Sequence, residues 1–259
     1  MVSAEKIARS SLAKRSLQTA VLYLLLVWLG MLSLAYNLAA FLLHPLLSEQ
    51  RGRQVGRAGI AYGYRLFWSL AQVSGLMRID NKALDVLNDD PGGLIIASNH
   101  PSMADALLLC ARLPRSVCIM KASLVDNVFL GAGARLARYI GNASPRQMIR
   151  ASVEALHQGG HLVIFPEGTR TPPANGEQRR QLNPFRPGLT LIAYKANVPI
   201  QTVIIETDSP YLSKGWPIWR LPPIPVVFRL RLGERFEPEA DHAMMLARLE
   251  DYFRREVSA

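Results

Sequence analysis

A histidine and an aspartate share the segment Asn99-His100-Pro101-Ser102-Met103-Ala104-Asp105. Imidazole titrates near neutrality, so it can take a proton and return it at physiological pH. A carboxylate on one ring nitrogen fixes the tautomer and stabilises the imidazolium that forms when the other nitrogen deprotonates a hydroxyl. Five helical steps turn the chain through about 500°, so the two residues do not share a helix face. They meet only if His100 lies in a loop and Asp105 in the first turn of the following helix. A plainer reading is a helix start, with Asn99 or His100 as cap and Asp105 at the positive end of the helix.

A second polar cluster reads Phe165-Pro166-Glu167-Gly168-Thr169-Arg170. Gly168 lets the backbone approach a ligand closely, and Thr169 and Arg170 offer donors suited to phosphate oxygens. Glu167 has two readings, orienting Arg170 or bonding a substrate. A strand-to-loop turn with a surface Glu–Arg pair explains the same residues without a ligand.

The elements around these clusters alternate. Gly93 to Ser98 reads as a buried strand, and a helix follows it with Pro101 suited to the first helical position. Ser116 to Met120 reads as a strand ending at Lys121, Pro145 to Gly159 as a helix, and His161 to Phe165 as a strand running into the second cluster. A helix over Gly188 to Ala196, strands over Ile200 to Ile205 and Val226 to Leu232, and an amphipathic helix over Asp241 to Arg255 complete the pattern. Such alternation predicts an α/β fold, a mainly parallel sheet flanked by helices. Ligands of open parallel sheets bind beyond the carboxyl ends of the strands. Both clusters and Lys121 follow predicted strands directly, so they converge on one edge.

Ahead of this domain lies a segment of different character. From Ser16 to Ser48, 33 consecutive residues contain no Asp, Glu, Lys or Arg, and about 20 apolar residues suffice to cross a bilayer. The run is too long for the apolar core of a secretory signal, so it reads as a retained membrane anchor. Lys6, Arg9, Lys14 and Arg15 precede it and Arg51, Arg53 and Arg57 follow it, so charge does not set an orientation. A hairpin broken near Asn37 or Pro45 and one long tilted span both fit. Ile60 to Met77 reads either as an interfacial helix or as a core helix. The expected organisation is an anchor with its interfacial helix over 1–78 and a catalytic domain over 79–259.

The formal net charge of +10 favours an anionic surface, nucleic acid or acidic lipid. Arg179-Arg180, Arg229, Arg231 and Arg254-Arg255 are basic, but no nucleic-acid recognition motif accompanies them. Cys110 and Cys118 form no metal-binding spacing and read as buried free thiols. His157 and His161 lack the intervening glutamate of a zinc helix, and Gly159-Gly160 breaks the helix between them. No nucleophile-elbow or P-loop pattern occurs. The expectation is no metal, no cofactor and no nucleic acid.

Taken together, the two clusters resemble the glycerolipid acyltransferase family typified by 1-acylglycerol-3-phosphate acyltransferase. Its first block is matched by Asn99 to Asp105 and its glutamate–glycine–threonine–arginine block by Phe165 to Arg170. Phe185-Arg186-Pro187-Gly188 and Val198-Pro199-Ile200 look like its later steps. The resemblance covers about residues 80–205. It implies direct acyl transfer without a covalent enzyme intermediate, from acyl-CoA or acyl-acyl-carrier protein to a lysophospholipid hydroxyl. His100 would be the base and Asp105 would orient it. Asn99, Ser102, Lys121, Glu167, Gly168, Thr169, Arg170 and Arg186 would bind substrate. It also implies attachment to the bacterial inner membrane with the catalytic domain facing the cytoplasm, and membrane lipids and an acyl carrier as partners.

Some residues depart from the family pattern. Asn142 stands where arginine is usual, with Arg138 and Arg146 nearby as substitutes, Ser123 follows Lys121-Ala122 where glutamate is common, and Gln201 replaces a second proline. Ser209 to Pro225 is an added stretch rich in Trp and Pro, suited to a membrane interface or to a stiff surface loop. These departures touch the acceptor more than the chemistry. The expected acceptor is 1-acylglycerol-3-phosphate, giving phosphatidic acid. A lyso-ornithine or aryl-polyene-type lipid is the alternative, followed by thioester hydrolysis with Ser102 as nucleophile.

Overall fold

The computed structural model describes residues 2–124, 126–172 and 181–258, with side chains described from residue 12 to 257. The strands are β1 (Met77–Asp80), β2 (Leu94–Ser98), β3 (Ser116–Met120), β4 (Ile140–Gly141), β5 (His161–Ile164), β6 (Ile200–Glu206) and β7 (Val226–Phe236). The helices are α1 (Val2–Leu43), α2 (Glu49–Val73), α3 (Asp105–Arg112), α4 (Gly131–Ala137), α5 (Pro145–His157), α6 (Gly188–Ala196) and α7 (His242–Ser258). The strands form one sheet in the order β1-β7-β6-β2-β5-β3-β4. Every neighbouring pair is parallel except β6–β7. The expected fold class is the one observed.

β2 is buried along its whole length, which is why it reads as a continuous apolar run rather than an alternation. Its residues still divide by face, since successive side chains of a strand point to opposite sides. Leu94 and Ile96 pack with Phe67 and Trp68 of α2 and Leu108 and Leu109 of α3. Ile95 and Ala97 pack with Leu156 of α5, Leu189 and Ile192 of α6 and Phe253 of α7. Phe228 and Phe253 are among the largest fully buried side chains, one on each face. Truncating either to alanine should cost about 3–5 kcal/mol.

Local chemistry explains where elements stop. Ser144 accepts from the Gln147 amide at 3.5 Å and Pro145 opens α5, while Gly159 at φ 75° ends the turn that follows it. Pro101 does not open a helix. Residues 101–104 form a turn and α3 begins at Asp105. Three short elements carried no sequence signal strong enough to predict: β1, α4 and β4. β4 has two residues, and α4 (GAGARLA) holds two glycines that disfavour a helix.

α1 runs unbroken through Asn37 and ends before Pro45. The region Leu12–Leu43 is long and apolar enough to cross a membrane, with a mean hydropathy of 2.0 over its most apolar 18 residues. α2 returns antiparallel to it. Tyr36 Oη donates to the Gly56 carbonyl at 2.6 Å, and Leu22 and Leu25 join the cluster of Phe67, Trp68 and Ala71. Asn37 is a tether rather than a break: its amide nitrogen donates to the Phe129 carbonyl, and its oxygen accepts from Gly133 N at 2.9 Å. Close approach requires the glycines here, since a Cβ on Gly133 would lie 2.4 Å from the Tyr36 ring and one on Gly56 2.6 Å from Ala137 N.

Residue 78, the expected border, falls within β1, and α2 contributes Phe67, Trp68 and Ala71 to the same core as α3. Of the two readings of Ile60 to Met77, the structure carries the core helix. The opposite side of the helical pair exposes Leu24, Met31, Leu38 and Phe41 of α1, with Val55, Tyr62 and Val73 of α2.

Candidate active site

The carboxyl end of β2 carries Asn99 and His100. Asn99 is buried and continues the strand ladder with its side chain, donating to the Ile205 carbonyl and accepting from Ile205 N, both at 2.8 Å. This grip on β6 fixes where the chain leaves the sheet. His100 is then held by its backbone, which donates to Thr171 Oγ1 at 2.9 Å and accepts from Thr171 N at 2.7 Å. Its ring stacks on Phe165, with centroids 3.9 Å apart and planes 16° from parallel.

The turn over residues 101–104 folds Asp105 back beneath the imidazole. His100 Nδ1 and Asp105 Oδ2 are 2.8 Å apart, and the same oxygen accepts from Ser102 N at 2.8 Å. The carboxylate is fully buried, whereas 18% of the His100 side chain is exposed. A buried carboxylate facing Nδ1 keeps the proton on that nitrogen and leaves the lone pair on Nε2. The tautomer follows from this hydrogen bond, since Asp105 Oδ2 also accepts the Ser102 amide and so acts as an acceptor.

Several residues expected to bind substrate have hydrogen-bond partners within the wall of the site. Ser102 is fully buried and its hydroxyl donates to the Tyr211 carbonyl at 3.1 Å, so it is not placed to attack a thioester. Asn99 spends its amide on β6. Glu167 is buried, with Oε2 accepting from Asn183 N at 2.9 Å and Asn183 Nδ2 at 2.7 Å, while Oε1 accepts from the Thr171 hydroxyl. It anchors Thr171, which in turn holds the His100 backbone. Arg170 Nη1 donates to the carbonyls of Leu212 and Ser213, each at 2.9 Å, and so ties down the Trp- and Pro-rich excursion.

Gly168, Thr169, Arg186 and Lys121 remain exposed at the sheet edge. Gly168 sits at φ 67°, and a Cβ there would lie 3.2 Å from Arg186 Nε. Lys121 ends β3, two strands from β2 across β5, hence about 10 Å away at ~4.8 Å per strand. Asn142 accepts from Ala122 N at 3.0 Å and steadies the turn after Lys121. Arg138 and Arg146 are exposed.

Thr171 and Asn183 were missed as site-building residues. Thr171 follows Arg170 directly and only its adjacency could have flagged it; Asn183 has no local signal. In the excursion, the Arg220 guanidinium lies 4.5 Å above the Trp216 ring, and Trp219 is 64% exposed. Arg179-Arg180 lie outside the described residues. Of the other arginines grouped with them, Arg231 pairs with Glu206 and Glu256, each at 2.7 Å, and Arg254 with Glu250 at 2.5 Å, so neither offers a free cationic face. Cys110 and Cys118 are free thiols with sulfurs 3.3 Å apart. Among the described residues no group of three or more His, Cys, Asp or Glu could hold a metal ion.

Comparison with known proteins covers the same region of the chain. The acyltransferase family model matches residues 74–206, just over half of the chain and including both clusters. A 1-acyl-sn-glycerol-3-phosphate acyltransferase of Helicobacter pylori is 33% identical over 45% of this chain and 49% of its own length. A lyso-ornithine lipid O-acyltransferase of Pseudomonas aeruginosa is 30% identical over 69% of this chain and 65% of its own length. The chain thus spans about half to two thirds of the curated relatives it matches. The fold is that of the crystal structure of the LPA acyltransferase PlsC from Thermotoga maritima, with a TM-score of 0.66 at 20% identity over 95% of this chain and 96% of that one. On this match, with its blocks brought to one edge of the sheet, the chain belongs to the acyltransferase family.

Proposed function

We propose that the chain moves an acyl group from a thioester to the hydroxyl of a lysophospholipid, with His100 as general base. The observation that carries this reading is the 2.8 Å contact between His100 Nδ1 and a fully buried Asp105 carboxylate. The acceptor O–H gives its proton to Nε2 as its oxygen forms a bond to the thioester carbonyl carbon. The C–S bond then breaks, and the imidazolium returns the proton to the departing thiolate. Positioned proton transfer of this kind is worth about 10²–10⁴ in rate. Asp105 orients His100, and Asn99, Ser102, Glu167 and Thr171 act as positioning residues. Lys121, Thr169 and Arg186, exposed around Gly168, are the groups left to meet the acceptor's anionic headgroup.

The acceptor we favour is 1-acylglycerol-3-phosphate, with acyl-CoA or acyl-carrier protein as donor and no metal or organic cofactor. A lyso-ornithine-type lipid is the second reading, favoured by the longer match to the enzyme of that name. The exposed apolar side of α1 and α2 attaches the protein to the membrane. Because α1 packs along α2 and is tethered to α4, we place this pair in one leaflet of the bacterial inner membrane. Cytoplasmic donors put the sheet edge on the cytoplasmic side. The test offers purified full-length protein both acceptors with both donors. Ester formation that His100→Ala loses supports the proposal, whereas equal turnover in that variant sinks it.

A further inference from the structure

A second polar cavity, of about 280 Å³, lies at the opposite end of the strands from His100. It opens where Pro114-Arg115 lead into β3 and Gly159 into β5, and α2 closes it with Gln50, Arg53, Gln54 and Arg57. Three guanidinium groups and three carboxamides, the third from Gln158, line it, and no carboxylate does. Asp90 is committed to Arg235 at 2.8 Å and Glu154 to Gln158 at 3.3 Å, while Glu49 pairs with Arg53 of the lining at 3.6 Å and leaves Arg57 and Arg115 without a carboxylate partner among the described residues.

Arg57 is the decisive residue. It is 6% exposed, its Nε donates to the Ala137 carbonyl at 3.1 Å, and its Nη2 has no hydrogen-bond partner among the described residues. Burial, with a contribution from Arg53, pulls its pKa down to about 10, which leaves it charged at neutral pH. A buried charge without a counter-ion is unfavourable, and no carboxylate among the described residues pairs with this one. Arg115 already donates to the carbonyls of Gly159 and Asn88 and holds its place at the rim. His161 adds no charge, since burial and Arg115 hold its pKa near 4.

We propose that this cavity binds a phosphate-type oxyanion, carried by a soluble phosphate or by the headgroup of an anionic lipid. Guanidinium forks match phosphate oxygens, and several arginines suit a group of more than one negative charge. The lipid source is close at hand, because α1 exposes Leu38, Phe41 and Leu42, and Leu46 follows in the turn before Gln50.

The full chain in neutral detergent micelles is titrated at constant ionic strength with inorganic phosphate, then with micelles containing phosphatidylglycerol or phosphatidylcholine. The expected result is a saturable rise in Tm whose apparent affinity falls about tenfold or more in Arg57→Gln and Arg115→Gln. Arg229→Gln, on an exposed residue of β7, should respond as wild type, and so should His100→Ala, which separates this site from the proposed chemistry. If Arg57→Gln does not fold, Arg53→Gln and Arg115→Gln carry the reading. A response to phosphate assigns a soluble ligand; a response to phosphatidylglycerol alone assigns a headgroup. No saturable response to either, or a response retained in full by the folded variants, overturns the site.

Discussion

At the carboxyl ends of β2 and β5, polar side chains hold one another. Glu167 grips Thr171 and Asn183, Thr171 grips the His100 backbone, and Asp105 grips the imidazole and Ser102 N. At the amino ends of the same sheet, Arg57 Nη2 and both ring nitrogens of His161 are buried without a partner among the described residues. Preorganised groups of the first kind stabilise developing charge without reorganising during the reaction. Groups of the second kind leave charge and polarity uncompensated until something binds. One end of the sheet thus holds the chemistry proposed for His100, and the other the capture proposed for Arg57.

The sharpest way to break this contrast is at His100. His100→Ala should lower kcat/KM about 10²–10⁴-fold, while Tm in detergent stays within a few degrees of wild type. A large loss of Tm would make His100 structural and erase the contrast. Asp105→Asn keeps the shape but can present an N–H to the ring, so kcat should fall about 10²-fold with KM little changed. A fall confined to KM would count against the orienting role.

The other end of the sheet answers to pH. His161 is fully buried and its folded pKa is lowered to about 4 from 6.5, burial being the main cause and Arg115 the next. The unfolded chain then binds the extra proton between those values, so the stabilisation is complete above pH 6.5 and is lost as pH falls towards 4. The loss is on the order of 3 kcal/mol, and His161→Leu should flatten the Tm profile across that window. The smallest effect is expected at Glu167→Gln, where an amide NH₂ faces donors. Urea unfolding should report a loss of about 1–3 kcal/mol, accompanied by a modest fall in kcat. Unchanged stability would mean that Asn183 and Thr171 do not depend on the carboxylate.

Strands buried on both faces and punctuated by Gly and Pro were readable to within a residue or two, as at β2, β3 and β5. α4 was not, because its two glycines argue against a helix locally, and the packing that requires one of them, the Tyr36 ring against Gly133, is tertiary. Within the site, the His100–Asp105 pair was legible because its residue types are uncommon together and each follows from the chemistry. The partners of Asn99, Ser102 and Glu167 within the chain were not legible, since a polar residue in a loop has the same signature whether it faces substrate or a neighbouring backbone.

The order of apolar runs, breakers and polar clusters along the chain determined by itself the α/β class, the apolar leading helix and the nomination of one sheet edge. Local patterns carry that information because burial on both faces and turn chemistry act over a few residues. Which oxygens meet which donors, the folding of α2 into the core, and the arginines gathered beneath the strands were decided by tertiary structure. Those contacts join residues as distant as Asn99 and Ile205, 106 positions apart, or Asp90 and Arg235, 145 positions apart, and no local pattern encodes such a pairing.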